Sequence, residues 1–160
     1  MIQVLIVDDE KLEREGIKYL LAMEEGEWNI REASNGRDAL QILKSEETDL
    51  LLTDIKMPHM DGLELTSKAK ELNPGLQVVI FSGYSDFTFA QEAIRYGVTE
   101  YMLKPVEPES FHKTINQTKK NILKKKDKET REQKEQDFLQ EYFLESYLYT
   151  GKKDILEKSE

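Results

Sequence analysis

The chain has 160 residues, of which 38% are hydrophobic, enough for one globular domain with a core and some length to spare. It contains no cysteine, which excludes disulfides and thiolate chemistry, and no stretch approaches the roughly 18 consecutive apolar residues of a membrane span. The net charge of −9 is uneven: residues 1–110 carry 11 Lys/Arg against 22 Asp/Glu, and residues 111–160 carry 12 against 10. An acidic globular part repels nucleic-acid phosphates, so this part is not expected to touch DNA itself. The opening "MIQVLIVDDE" lacks the basic flank and cleavage site of a signal peptide. The expected compartment is the cytoplasm, with no membrane contact.

In chain order, "IQVLIV" (2–7) is β-rich and precedes "EKLEREGIKYLLAM" (10–23), where Leu12, Ile17, Leu20 and Leu21 fall roughly on one helical face. "WNIREA" (28–33) reads as a second strand, after which Asn35 caps a helix that turns Ala39, Leu40 and Leu43 inward. "LLLT" (50–53) is the third strand, followed by a loop with Pro58 and Gly62 and a helix through Leu63, Leu65 and Ala69 that "NPG" ends. "LQVVIF" (76–81) is the fourth strand and "DFTFAQEAIRY" a helix stopped by Gly97. "TEYML" (99–103) is the fifth strand, with a last helix starting after Pro108.

Five strand–helix units with nearly continuous apolar strands predict a parallel sheet covered on both faces: a doubly wound α/β domain over residues 1–120. Residues 121–160 form a separate helical extension. "KKNILKKKDKETREQKEQD" is almost wholly charged or polar, without Gly or Pro, which favours a solvated helix over coil, and the acids that soon follow "KKNILKKKDK" favour a solvated helix face over a DNA contact. "FLQEYFLESYLYTG" is amphipathic and aromatic. Heptads traced from Phe111 through Ile115 and Ile122 to Leu139 and Phe143 have apolar ends but a polar middle at Lys125, Glu129, Glu132 and Gln136. That is a weak coiled-coil seam at best, and a signalling or linker helix without stable self-pairing fits the pattern equally well.

Sites in open parallel sheets form at the carboxyl ends of strands, where strand order reverses. Here the first strand ends at Asp8 and Asp9, the third at Asp54, the fourth at Ser82 and the fifth at Lys104. With order 2-1-3-4-5 the first and third strands are neighbours, and three carboxylates crowd one pocket beside a hydroxyl and an ammonium. Such carboxylates repel, raise one another's pKa, or recruit a cation. All-oxygen ligation with few protein carboxylates suits Mg²⁺. A carboxylate beside Mg²⁺ and a lysine can attack a phosphoryl donor and become an acyl phosphate. Singly, each residue has an ordinary reading: Asp54 as strand-end punctuation, Asp8-Asp9 as a helix cap, Ser82-Gly83 as turn chemistry, Lys104 as a surface lysine. Five such residues at successive strand ends favour the site. His59, His112 and Trp28 carry no comparable signal. The histidines lack partners at metal-binding spacing, and Trp28 reads as half-buried core.

"VLIVDDE", "LLLTDIKMPHMDGLEL", "VVIFSGYSDF" and "GVTEYMLKPV" resemble the receiver domain of bacterial two-component response regulators over about residues 1–120. The flavodoxin-like strand order above rests partly on that resemblance. It implies that Asp54 accepts a phosphoryl group from a sensor histidine kinase. It further implies Mg²⁺ held by Asp9, Asp54 and the backbone carbonyl of Lys56, with Asp8 acting largely through water. Lys104 would pair with the phosphoryl oxygens, Ser82 would hydrogen-bond them, and Tyr101 would turn inward as Ser82 moves. The Lys104–Pro105 bond would be cis, and Lys56 and Tyr84 would tune dephosphorylation. The resemblance implies a switch rather than an enzyme, with slow autodephosphorylation only.

"FSGYSDFTFAQEAIRYGVTEYMLKPV" and the charged extension are most similar to YesN-type regulators. These join a receiver to an AraC-type helix-turn-helix DNA-binding domain. The resemblance implies a transcriptional output domain absent from this chain, and a homodimer formed on phosphorylation. Two other readings use the same residues. A haloacid dehalogenase-type phosphatase also forms an aspartyl phosphate, but its nucleophile usually lies on the first strand in an Asp-x-Asp pattern, and here Asp8 and Asp9 are adjacent. A degenerate receiver would act as an interaction module without phosphorylation, against which the complete set Asp8, Asp9, Asp54, Ser82 and Lys104 speaks. A flavin-binding reading fails because "DDEKLE" after the first strand would repel a phosphate.

Overall fold

A computed structural model describes residues 1–83 and 87–158, without the side chains of Phe87 and of 150–158. Ten elements alternate along it: β1 (Ile2–Val7), α1 (Lys11–Ala22), β2 (Trp28–Ala33), α2 (Gly36–Ser45), β3 (Leu50–Asp54), α3 (Gly62–Leu72), β4 (Gln77–Ser82), α4 (Phe87–Arg95), β5 (Glu100–Leu103) and α5 (Pro108–Lys158). All strand pairs are parallel, in the order β2-β1-β3-β4-β5. The chain separates into two compact units, Met1–Ile122 and Leu123–Glu160.

In the first unit, alternation along each strand sends successive side chains to opposite faces. Leu5, Val7, Leu51, Val78 and Ile80 join Ala39, Leu63, Leu65, Ala69 and Ala93 of α2, α3 and α4 in one core. Val4, Ile6, Leu50, Leu52, Val79 and Phe81 join Ile17 and Leu21 of α1 and Phe111, Ile115 and Ile122 of α5 in the other. Each fully buried Leu or Ile contributes about 1.5–3 kcal/mol through removal of apolar surface from water. The two layers hold β1 and β3 side by side in the sheet centre, with Val7 opposite Thr53. The carboxyl ends of these two strands therefore emerge together.

Helix starts follow their capping residues. Asn35 Oδ1 accepts from the Asp38 N–H at 2.8 Å, and Asp61 Oδ1 accepts from the Glu64 N–H at 2.8 Å. Gly97, at φ +77°, ends the α4 segment in the left-handed region.

Two expectations change. Leu12 does not share the buried face of Ile17 and Leu21 but is 85% exposed. Ile17 and Leu21 are one turn apart, whereas Leu12 lies five residues before Ile17, more than 100° around the helix from it. The heptad pattern also has a different meaning at its start: Phe111, Ile115 and Ile122 are core residues of the first unit rather than the beginning of a coiled-coil seam. The start of the helix expected from Asp86, and Tyr84, lie outside the described residues.

The second unit is helical over its described residues, as the continuation of α5 to Lys158. Ion pairs one turn apart, Arg131–Asp127 at 3.0 Å, Lys125–Glu129 at 3.7 Å and Lys128–Glu132 at 3.8 Å, run along its polar part. Beyond them Phe138, Leu139, Tyr142, Phe143, Leu144, Tyr147, Leu148 and Tyr149 are exposed.

Candidate functional site

The end of β1 delivers Asp8 and Asp9 in opposite senses. Asp8 is buried, 1% exposed, and Asp9 is exposed. Asp8 does not cap α1; Glu10 holds that position and makes no side-chain cap hydrogen bond. Instead Asp8 Oδ1 accepts from the Glu10 N–H at 2.9 Å, which orients the carboxylate toward the sheet end. Asp54 closes β3, half-buried, with Oδ1 accepting from the Ile55 N–H at 2.9 Å.

Opposite them stands Lys104, just past β5. Its Nζ lies 3.2 Å from Asp8 Oδ2, 3.5 Å from Asp54 Oδ1 and 3.6 Å from Glu13 Oε2. It is not a surface lysine: its side chain is only 19% exposed. The Lys104 N–H donates to the Ser82 carbonyl at 2.8 Å, tying the end of β5 to that of β4. The Lys104–Pro105 peptide is cis.

The charges perturb one another. Burial, aided by the Asp54 charge, raises Asp8 to about 6, although the Glu10 N–H and Lys104 pull it down. Burial also raises Asp54 above the usual carboxylate range, against Lys104 and the Ile55 N–H, with Asp9 adding to the rise. For Lys104, burial favours the neutral amine, but Asp8, Asp54 and Glu13 outweigh it and raise its pKa. Excess negative charge in a partly dry pocket favours recruitment of a cation.

Asp8, Asp9 and Asp54 each present a ligand oxygen, all within 4.8 Å of one another. An all-carboxylate oxygen set of that span fits a hard divalent cation such as Mg²⁺ and suits a softer metal poorly. Lys56 follows two residues after Asp54 in the β3–α3 loop with its side chain exposed. That loop is pinned by the Gly62 N–H, which donates to the Ile55 carbonyl at 2.7 Å. A Cβ at Gly62 would stand 2.1 Å from the Asp54 carbonyl oxygen, so only glycine allows α3 to start so close to Asp54.

Ser82 is fully buried at the end of β4, where its neighbour Phe81 pairs with Asp54 in the sheet. Tyr101 lies half-buried in β5 and packs against the core under α2, α3 and α4. His112, on α5, pairs with Glu24 through Nδ1 at 2.7 Å rather than with Asp8, Asp9 or Asp54. Trp28 is half-buried, as expected, with a buried indole N–H that has no hydrogen-bond partner among the described residues.

Sequence reasoning missed two residues here. Glu13 reaches Lys104 from the first turn of α1, and Arg14 donates to the Asp8 carbonyl at 2.7 Å while pairing with Glu32 at 3.2 Å. The available signal was that α1 starts four residues after Val7, so its first turn stands over the end of β1.

Comparison with known proteins agrees with this arrangement. The profile of the response regulator receiver domain matches residues 4–116. The uncharacterized transcriptional regulatory protein YesN of Bacillus subtilis is 33% identical over 153 residues, 92% of this chain and 41% of that protein. The nitrate/nitrite response regulator protein NarL of Escherichia coli is 34% identical over 114 residues, 71% of this chain and 53% of that protein. The chain thus spans about half the length of these relatives or less. Among solved structures, a two component transcriptional regulator AraC from Clostridium phytofermentans is 34% identical with a TM-score of 0.69, covering 78% of this chain and 97% of that one. A CheY-like receiver domain protein from Methanospirillum hungatei is 29% identical with a TM-score of 0.72, covering 78% and 98%.

Proposed function

The chain belongs to the response regulator receiver family, and from that premise we propose that it is a phosphorylation-driven switch with Asp54 as the acceptor. The observation that carries this reading is the meeting of Asp8, Asp9 and Asp54 within 4.8 Å, with the Lys104 ammonium 3.5 Å from Asp54.

An Asp54 carboxylate oxygen attacks the phosphorus of a phosphohistidine on a sensor kinase. The P–O bond forms as the P–N bond breaks, and the electron pair returns to the imidazole. Lys104 places its positive charge beside the oxygens of the transferred group. Asp9, Asp54 and the Lys56 carbonyl would hold Mg²⁺, with Asp8 acting largely through water, and the ion when bound supplies further positive charge at those oxygens. The Asp8 carboxylate, held by the Glu10 N–H, orients the acidic pocket. Ser82 donates its hydroxyl to the phosphoryl group, and Tyr101 turns inward with it, shifting a pre-existing equilibrium of the β4–β5 region. Hydrolysis back to the carboxylate is slow, and the chain catalyses no other reaction.

The output is proposed to be transcriptional, through an AraC-type DNA-binding domain outside these residues, with residues 121–160 as the connecting helix. Homodimerisation accompanies phosphorylation. The relatives support this reading, since YesN, NarL and the Clostridium protein are all described as regulators. The adjacency of Asp8 and Asp9, with Asp54 on the third strand, disfavours the haloacid dehalogenase-type phosphatase. The complete set of Asp8, Asp9, Asp54, Ser82 and Lys104 speaks against a degenerate, phosphorylation-independent receiver.

Borohydride reduction after incubation with acetyl phosphate tests the assignment. It converts an aspartyl phosphate to homoserine, and peptide mapping should find that conversion at Asp54 alone. Conversion at Asp8 or Asp9 instead would contradict it.

A further inference from the structure

Glu13 has no role in the reading above, yet it is one of three carboxylates around Lys104. Asp8 and Asp54 reach the ammonium from strand ends at 3.2 and 3.5 Å, and Glu13 reaches it from α1 at 3.6 Å. Its side chain is 43% exposed, against 14% for Asp54, so it stands on the solvent side of the site. The adjacent basic residue does not neutralise it. Arg14 spends its guanidinium on the Asp8 carbonyl and on Glu32. Among the described ion pairs, Glu13 has Lys104 as its partner and no other cation. The pair borders an open groove of about 490 Å³, lined by Glu13, Leu20, Lys104 and Pro105.

A fixed anion in this place has two effects of the same sign. It draws Lys104 toward α1, away from the oxygens of an arriving phosphoryl group. It also repels the donor, which is itself an anion. Neither effect is needed for the fold, because Glu13 sits in a solvated first turn and a half-exposed ion pair of this length stabilises little.

We propose that Glu13 is a positioning residue that restrains phosphoryl acceptance at Asp54, by holding Lys104 toward α1 and by placing negative charge beside the entering donor. The inference rests on the reading of Asp54 as acceptor and adds to it a setting of the rate.

The test compares initial rates of labelling by acetyl phosphate with Mg²⁺, read by intact mass, for wild type, Glu13→Gln and Glu13→Asp. Thermal melting confirms that each variant is folded. Glu13→Gln should label about three- to tenfold faster at low ionic strength, the size expected for one charge several ångströms from the donor at intermediate dielectric. The advantage should shrink toward unity near 1 M salt, where the screening length is about 3 Å. Glu13→Asp keeps the charge with a shorter reach and should fall between the two. A Glu13→Gln rate equal to or below wild type would overturn the proposal, and so would a gain unaffected by salt. Labelling absent from wild type and variants alike would overturn the Asp54 reading, and this inference with it.

Discussion

Lys104 Nζ lies 3.2 Å from Asp8 Oδ2, joining the ends of β5 and β1 across the full width of the acidic pocket. Asp8 is 1% exposed, so this contact offsets the cost of a carboxylate withdrawn from water. Lys104→Met should lower stability in EDTA at neutral pH by about 2–4 kcal/mol, because it leaves buried negative charge unpaired. Acetyl phosphate labelling should fall more than tenfold. Urea unfolding and intact mass check the two effects, and unchanged values in both would show that Lys104 is incidental to the site.

Asp8 is held at about 6 in the folded protein against an ordinary 3.8. The folded state binds this proton more tightly than the unfolded chain, so stability in EDTA should fall as pH rises from about 4 to about 6, then level off. Asp54, also raised by burial, contributes in the same direction. Solvent reaching the pocket past exposed Asp9 screens part of the effect, which leaves on the order of 2 kcal/mol for Asp8. Asp8→Asn should therefore be more stable than wild type in EDTA at pH 7.5. Millimolar Mg²⁺ should raise the melting temperature of wild type at that pH and have little effect on Asp8→Asn. A wild-type stability that rises between pH 4 and 6 in EDTA would contradict this account of Asp8.

Gly62 lets α3 start against the backbone of Asp54. With a Cβ built 2.1 Å from the Asp54 carbonyl oxygen, Gly62→Ala must displace either the strand end or the helix. The expected loss is about 2–4 kcal/mol, accompanied by slower labelling because Asp54, the proposed acceptor, moves. Equilibrium unfolding together with labelling rates distinguishes this from a purely local helix effect. A neutral substitution would mean that the loop relaxes freely.

Phe111 anchors α5 on the sheet, with its ring centroid 6.4 Å from that of Phe81, the residue before Ser82. Phe111→Ala should cost about 3–5 kcal/mol, the range for removing a buried aromatic. A cost below about 1 kcal/mol by urea unfolding would place α5 outside the core.

Much of this was legible in the sequence. The runs Leu50–Leu52 and Val78–Phe81 are apolar on both faces, as a buried parallel strand requires, and the strands that hold them end on Asp54 and Ser82. The strand-end rule brought Asp8, Asp9, Asp54, Ser82 and Lys104 toward one place without any coordinates. What escaped depends on distances no linear pattern encodes. Nothing in the sequence sets Glu13 apart from any other first-turn acid, and only the path of β5 brings Lys104 to it. Leu12 looked like part of an apolar face because a single turn of sequence does not fix helix rotation. Phe111, Ile115 and Ile122 share the spacing of a coiled-coil seam, and the same spacing serves a helix packed on a sheet. Burial decides between the two.

The central claim is that Asp54 accepts a phosphoryl group in a Mg²⁺-dependent reaction, and intact mass after incubation with acetyl phosphate tests it most directly. The account predicts one added phosphoryl group on wild type, absent from Asp54→Ala and absent when EDTA removes the cation. Equal labelling of Asp54→Ala would contradict it, as would no labelling of folded wild type at saturating Mg²⁺.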